Sequence, residues 1–568
     1  MSDRIDKILE GENQLKRKFS LLQPFLFALM LIFGVYIGFT LNKGGMSNPL
    51  SPQAANANPN KLVNIINKID EMYVDSVEKK KLIDDAIKSI VDNLDPHSYY
   101  ISPEELTSMQ EPLEGNFEGI GVEFMIQKDT LMVINPIEGG PSEEAGILAG
   151  DRIIKVEGEV IAGIGLTNDK VTKLLKGKKG TVVNLSIQRR GKSDLIQFEI
   201  ERDKIPIYSV VASLNITPEI GYIKVTRFAK YTFEEFKEAI DGLAAEGASQ
   251  FIIDLRGNGG GYLNSCIPMI EEFLGQNKLI VYTEGNNDPR RDYKSRINGK
   301  YKNMDVVVLI NQGSASASEI LAGALQDHDR SITVGRRSFG KGLVQNEVPL
   351  PDQSALRLTV ARYYTPTGRS IQKPYGEGID YANDYLDRYD HGELLSADSI
   401  RFSDSLSYRT PAGRIVYGGG GIMPDIFVPI DTVGSSAYLN ELTYSGIFRT
   451  YGFQLAERIK DQKEAFPTVD DLINGFELSD QDLEGLYDYA SQEGITKDRF
   501  GIENSKKVLG IRLMAQLARN WYGEEGYYRV ILEDDTVFDK AMEVMSDYEA
   551  YQVTDGKLNL LKSELLEE

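Results

Sequence analysis

The sequence predicts an α/β multidomain protein, and three observations predict it. Between Ile207 and Pro374, apolar runs that end in glycine loops alternate with stretches of helical period, the pattern of a βαβ core. Between Glu118 and Gln188, short alternating strands replace that pattern and set off a smaller β-rich unit inserted ahead of the core. Helical periodicity flanks both, at residues 61–94 and beyond Asp431. A chain of 568 residues has room for several such domains. Its formal net charge of −22 argues against a nucleic-acid partner, which needs a basic face.

Taken in order, residues 1–20 read as a cytoplasmic tail and residues 21–41 as a single transmembrane helix. The latter carry no charge and are long enough to span a bilayer. Lys16, Arg17 and Lys18 precede them, which keeps the N-terminal end in the cytoplasm. A cleaved signal peptide is the alternative, but the run exceeds a usual signal core and Ala55-Asn56-Ala57, the nearest small-x-small site, lies well past its end. Residues 42–60, rich in Gly, Ser, Pro and Asn, form a flexible linker. The expected location is the inner (cytoplasmic) membrane, single-pass, with the bulk of the chain in the periplasm or an equivalent extracytoplasmic space.

Residues 61–111 form an N-terminal helical unit of two or three helices, with Leu62, Ile65, Ile66, Ile69, Leu82, Ile83, Ile87 and Ile90 at helical spacing. Asp95-Pro96-His97-Ser98 closes those helices and Pro103 starts another. Residues 112–204 then run as loop, strand, strand, short helix, turn and strand, helix and strand. With Gly119-Ile120-Gly121, Ala145-Gly146-Ile147 and Gly150-Asp151 in place, this order resembles a PDZ domain, a β-barrel-like unit. The resemblance implies that Gly119, Ile120 and Gly121 offer backbone N–H groups to a peptide's C-terminal carboxylate, while the peptide adds as a strand to the sheet edge. A small barrel without a ligand is the alternative.

Residues 205–430 form the α/β core, with an insertion near residues 380–407 that is polar, aromatic and weakly periodic. The strand at 251–255 runs into Asp254-Leu255-Arg256-Gly257-Asn258-Gly259-Gly260-Gly261. No Gly-Lys-Ser/Thr follows, so the glycines do not make a phosphate loop, and their bare backbone suits an oxyanion donor or peptide docking. Asp254 and Arg256 read as a structural pair, and Cys266, the only cysteine, as a small buried hydrophobe.

The apolar run 306–310 leads into Asn311-Gln312-Gly313-Ser314-Ala315-Ser316-Ala317-Ser318-Glu319 and a helix. Ser316 sits at a strand-to-helix turn, where outward N–H groups can stabilise an oxyanion. Lys341, in Phe339-Gly340-Lys341-Gly342, follows 25 positions on, and serine plus lysine is an alternative to serine plus histidine. Ser316-x-x-Glu319 also reads as a plain capping box. Ser314 and Ser318 read as turn and capping residues, with Ser318 the alternative nucleophile. The three histidines, His97, His328 and His391, stand far apart in no metal-ligand spacing, which favours lysine as the base and argues against a zinc site. No metal and no cofactor is expected.

Residues 431–568 read as a helical C-terminal domain without a chemical motif, with Trp521 as a core anchor.

Over residues 61–429 the chain resembles the C-terminal processing (tail-specific) proteases, membrane-tethered serine endopeptidases with an embedded PDZ domain. The pieces that carry this are Leu94-Asp95-Pro96-His97-Ser98, Gly119-Ile120-Gly121-Val122, Asp254-Leu255-Arg256-x-Asn258-x-Gly260-Gly261, Gly313-Ser314-Ala315-Ser316-Ala317-Ser318-Glu319 and Phe339-Gly340-Lys341-Gly342-x-x-Gln345. The resemblance implies a nucleophile at Ser316, a general base at Lys341, Gln345 orienting the lysine, and an oxyanion hole from the N–H groups of Gly261 and Ala317. The Gly257-Asn258-Gly259 loop departs from the Asn-Asn-Pro type common there. The insertion and the segment after Asp431 lie outside the family core.

The implied function is an endopeptidase with a Ser-Lys dyad that selects extracytoplasmic proteins by their C-terminal tails. The alternatives are a non-catalytic PDZ scaffold and a small-molecule esterase or amidase. The implied partners are protein substrates with accessible C-terminal tails and the membrane through one helix, with room for an adaptor protein and for a homo-oligomer. A lysine base requires a pKa lowered by roughly 3 units from ~10.4, which burial can supply and an acidic neighbour would oppose.

Overall fold

A computed structural model describes Met30 and residues 60–561, apart from residues 138, 377, 402 and 403. The expected transmembrane helix at 21–41 therefore lies outside the described residues but for Met30, and the cytoplasmic tail lies outside them entirely. Among the described residues no helix is long and apolar enough to cross a membrane. The described residues divide into two compact units, those up to residue 87 and those from residue 88 onward. In the first, helix Asn60–Met72 is amphipathic, and Lys79, opening the next helix, donates to Asn67 Oδ1 at 2.9 Å.

The larger unit is built around a six-stranded sheet in the order Val210–Asn215, Ile220–Val225, Gln250–Asp254, Asp305–Ile310, Ile332–Gly335, Ile426–Phe427. The first pair is antiparallel and the rest are parallel. A parallel sheet must be covered on both faces, which explains the unbroken apolar runs in its strands. One face, with Ile223, Ile253, Val308 and Ile310, packs on helices Thr232–Ala245, Leu263–Glu271 and Ala317–Asp327. The other, with Tyr222, Ile252, Val307 and Leu309, packs on Val537, Phe538, Ala541 and Val544 of helix Thr536–Ser546. The segment after Asp431, expected as a helical C-terminal domain, thus also takes part in packing this sheet. The last helix and the hairpin Tyr551–Thr554/Lys557–Leu560 supply the cover that this sheet face requires.

A second sheet holds the paired strands Leu343–Pro349 and Ala355–Tyr364, which the sequence pattern had not marked. Strand Tyr99–Ile101 joins its edge, Tyr99 opposite Arg357, and so carries Asp95-Pro96-His97-Ser98 to the hairpin that follows Lys341.

The inserted domain is a six-stranded antiparallel sheet in the order Val122–Gln127, Thr130–Pro136, Arg152–Val156, Val182–Gln188, Ile196–Glu201, with the short strand Glu159–Val160 paired to Arg152–Val156 off that path and helix Asn168–Leu175 at its side. The chain enters and leaves it by two paired strands, Asn116–Gly119 and Asp203–Pro206. Helices from Ala437–Tyr444 to Arg499–Ile531 form the C-terminal bundle. The last is bent at Gly523, whose φ of +73° only glycine adopts freely. Trp521 is buried in that bundle as expected.

Candidate active site

The strand Asp305–Ile310 ends buried, and the chain turns through residues 311–315 into helix Ala317–Asp327. The turn closes on Ser316, which holds φ +55° and ψ −115°, a conformation a non-glycine residue keeps only when its surroundings enforce it. Three contacts do so. Ser316 N–H donates to Glu319 Oε2 at 2.8 Å, Ala315 N–H to Asn258 O at 2.9 Å, and Ser314 Oγ to Leu255 O at 2.8 Å. Ser318 is fully buried and its hydroxyl donates to Asn258 O at 2.9 Å, which removes it as the alternative nucleophile. Ser316 stays half-buried at the mouth of this turn.

The glycine loop lies directly against it. Asn258 is buried, its side-chain amide donates to Val225 O at 3.1 Å, and its Oδ1 accepts Gly260 N–H at 2.8 Å. A Cβ placed on Gly260 would stand 2.7 Å from Ala315 O and 2.7 Å from Ser316 Cβ, so only glycine allows this approach. Gly261 forms a parallel bridge with Phe228, in which Tyr262 N–H and Phe228 N–H make the bonds. Gly261 follows the glycine that touches Ser316 and Ala317 follows Ser316 itself, and among the described residues their own N–H groups have no acceptor. Behind the loop, Asp254 is the structural hub expected of it. It binds Arg256, Lys224 Nζ at 3.0 Å and Tyr222 Oη at 2.8 Å, and its carboxyl is held far down by Arg256 and Lys224 against the upward push of burial.

Lys341 is brought to Ser316 through the backbone. Glu319 Oε2, which accepts Ser316 N–H, also accepts Lys341 N–H at 2.8 Å, while Oε1 accepts Gly340 N–H at 2.7 Å and Ser338 Oγ–H at 2.5 Å. The Tyr363 hydroxyl is shared by the carbonyls of Lys341 and Ser316 (3.2 Å to the latter). The side chains of Lys341 and Ser316 are not hydrogen-bonded to each other, and the Lys341 amine has no polar partner among the described residues. Burial lowers its pKa, Arg357 lowers it further, and Glu319 and Asp95 pull it back up. Glu319 is itself fully buried, and burial pushes it up to about 7 against the four hydrogen bonds that favour its charge. An acidic neighbour of the kind that opposes a lowered lysine pKa is therefore present, and its raised pKa leaves it only about half ionised near pH 7.

The contact expected of Gln345 is not made: its amide donates to Leu343 O at 3.3 Å. Four residues that the motif reading passed over instead surround the lysine. Glu319 was visible only as a cap, and Tyr363 and Arg357 sit on a strand whose role needs the sheet pairing. His97 lies close enough that Lys341 is among the charges depressing it, and burial with those charges pushes it down to about 4. His328 and His391 stand apart, the first bonded to Leu279 O at 2.6 Å and the second on the surface. Cys266 is buried beside Ala317 O. Among the described residues no acidic, histidine or cysteine cluster could hold a metal.

In the inserted domain, Gly119, Ile120 and Gly121 form the loop before the edge strand Val122–Gln127. They line a cleft of about 120 Å³ together with Phe117, Thr172 and Leu175. Ile120 buries its side chain, so it can offer a ligand only backbone. Gly121 has φ +71°, and a Cβ there would press on Ile205 at 2.9 Å.

The model of peptidase family S41 matches residues 219–381, a PDZ domain model matches residues 119–212, and a family of unknown function matches residues 438–523. A carboxy-terminal-processing protease of Bartonella bacilliformis is 38% identical over 314 residues, covering 54% of this chain and 71% of that protein. The carboxy-terminal processing protease CtpA of Bacillus subtilis is 36% identical over 353 residues, covering 61% and 75%. Among solved structures, the photosystem II D1 C-terminal processing protease is 29% identical and covers 56% of this chain and 91% of its own, at a TM-score of 0.32.

Proposed function

The chain belongs to the carboxy-terminal processing serine proteases of peptidase family S41, and on that premise we propose that Ser316 and Lys341 form its catalytic dyad. The observation that carries the reading is the single Glu319 oxygen that accepts the backbone N–H of both residues. Lys341, in the neutral form that burial favours, takes the Ser316 Oγ proton as Oγ attacks the scissile carbonyl. The N–H groups of Gly261 and Ala317 stabilise the oxyanion. The lysine proton passes to the leaving amine, the acyl-enzyme forms, and water activated by the same amine releases it. Gln345 steadies the amine only after a rearrangement of the strand that follows Lys341.

The PDZ domain captures the substrate's C-terminal tail at Gly119, Ile120 and Gly121, with the tail added to strand Val122–Gln127. Capture favours the arrangement in which Lys341 reaches Ser316, and it can do so only by binding that arrangement better. Residues 21–41 anchor the chain in the inner membrane with its catalytic part outside the cytoplasm. The absence of charge in that segment and the basic residues before it support this. A phosphatase fused after Asn60 is expected to be active, and an inactive fusion would reverse the topology.

The dyad is tested by labelling with a fluorophosphonate and by casein cleavage. Ser316→Ala is expected to lose both, and Lys341→Ala to lose cleavage while keeping the fold. Lys341→Arg is expected to be inactive as well, because a guanidinium keeps its proton in this range. Near wild-type cleavage by Lys341→Arg would overturn the assignment.

A further inference from the structure

Glu319 satisfies only one side of the Lys341 loop, the N–H side. The carbonyls on the other side are taken by the segment that leads into and through the insertion. Arg388 Nη1 donates to Ser338 O at 2.8 Å and Arg388 Nη2 to Phe339 O at 3.1 Å, while Lys373 N–H donates to Gly340 O at 2.9 Å. Arg388 is held in turn by Asp384 at 2.9 Å and is almost fully buried. Tyr381 closes the arrangement. Its ring and that of Phe339 each lie 4.0 Å from Lys373 Nζ, and its hydroxyl meets His97 Nε2 at 2.7 Å. Arg388 of the insertion and Tyr381, where the family match ends, are thus spent on the loop of the general base and on the histidine beside it.

We infer that residues 381–393 form a wall of the active site, in which Arg388 and Tyr381 are positioning residues that fix the Lys341 loop and keep water from its amine. The inference rests on the dyad reading. The groups facing Lys341 are Glu319 from the helix after Ser316, Arg357 from its strand, and Asp95 and His97 from the loop before Tyr99. Lys373 and Tyr381 act on that set through His97. Removing the wall hydrates the amine, which restores its affinity for a proton and so moves the acid limb of activity to higher pH.

The test uses the full chain with Tyr381→Ala and Arg388→Ala. Tyr381→Phe keeps the ring, and Tyr381→Leu keeps bulk without it. Both alanine variants are expected to lower kcat about tenfold or more with KM changed less than about threefold. The acid limb of kcat/KM is expected to rise by about one pH unit. Tyr381→Leu should move the limb and Tyr381→Phe should leave it nearly in place, a pair that decides the matter even where Arg388→Ala does not fold. An unmoved limb and unchanged kcat in Tyr381→Ala and Tyr381→Leu would overturn the wall. Wild-type fluorophosphonate labelling of Lys341→Ala would instead overturn the dyad, which separates the two failures.

Discussion

At the scale of single residues, the site depends on one buried carboxylate more than the motifs suggest. Each Glu319 oxygen accepts two donors, and none of the four comes from a cation. Glu319→Gln would turn an amide N–H toward at least one of those donors. It is expected to lower kcat at least about tenfold with a smaller change in KM, measured on a peptide substrate. The sign of its pH linkage follows from the raised pKa. The folded state keeps the proton to about pH 7, whereas the free side chain loses it near 4.5. The stability this supplies is complete below the free value and is gone once pH has risen past about 7. Urea melts should therefore show a larger stability gap between wild type and Glu319→Gln at pH 4 than at pH 8, and an equal gap would refute the shift. Activity runs the other way: it rises with pH as the lowered pKa of Lys341 is passed.

At the scale of elements, two turns meet: the glycine loop after strand Gln250–Asp254 and the turn after strand Asp305–Ile310. The strands are parallel neighbours, Asp254 opposite Leu309, so their C-terminal loops emerge side by side, where α/β sites gather. Gly260 has φ +96°, and its α-hydrogen faces Ser316. Gly260→Ala is expected to reduce kcat about a hundredfold or more and to cost about 1–3 kcal/mol of stability. Gly259→Ala, with open space around its position, should cost far less. Equal activity of the two variants would show that the close approach does not matter. The glycine pattern made a backbone site legible in the sequence. It did not reveal that Asn258 cross-links both turns, because a single buried asparagine has no periodic signature.

At the scale of the whole 88–568 unit, the C-terminal bundle does more than extend the chain. Phe453 packs with Met125, Met132 and Ile134 on the outer face of the PDZ sheet, and Arg449 pairs with Glu123 at 3.2 Å. Asp535, which caps the helix Thr536–Ser546 just past the bundle, binds Arg256 at 2.7 Å at the base of the glycine loop. The bundle and the helix that follows it therefore reach from the strand expected to receive a tail to the loop expected to hold the oxyanion. Phe453→Asp would bury a charge among methionines, at a cost of about 3 kcal/mol or more to that contact. Amide exchange in strands Val122–Gln127 and Thr130–Pro136 should speed up while the central sheet stays protected. Unchanged exchange in both strands would mean that the bundle does not restrain the PDZ domain.

The sequence by itself determined the class of the fold and the PDZ insertion, and it singled out Ser316 and Lys341 as the candidate pair, because each leaves a local mark. Strands and helices differ in apolar period, and close backbone approach demands glycine. The tertiary structure decided what surrounds that pair. Glu319, Tyr363, Arg357 and His97 converge on Lys341 from four separate stretches of chain, and their distances depend on sheet order and register. It also placed the end of the chain on the bare face of the central sheet and the insertion on the lysine loop. Both follow from the need to cover apolar surface and satisfy buried carbonyls, a need that no segment can meet alone and that no local pattern records.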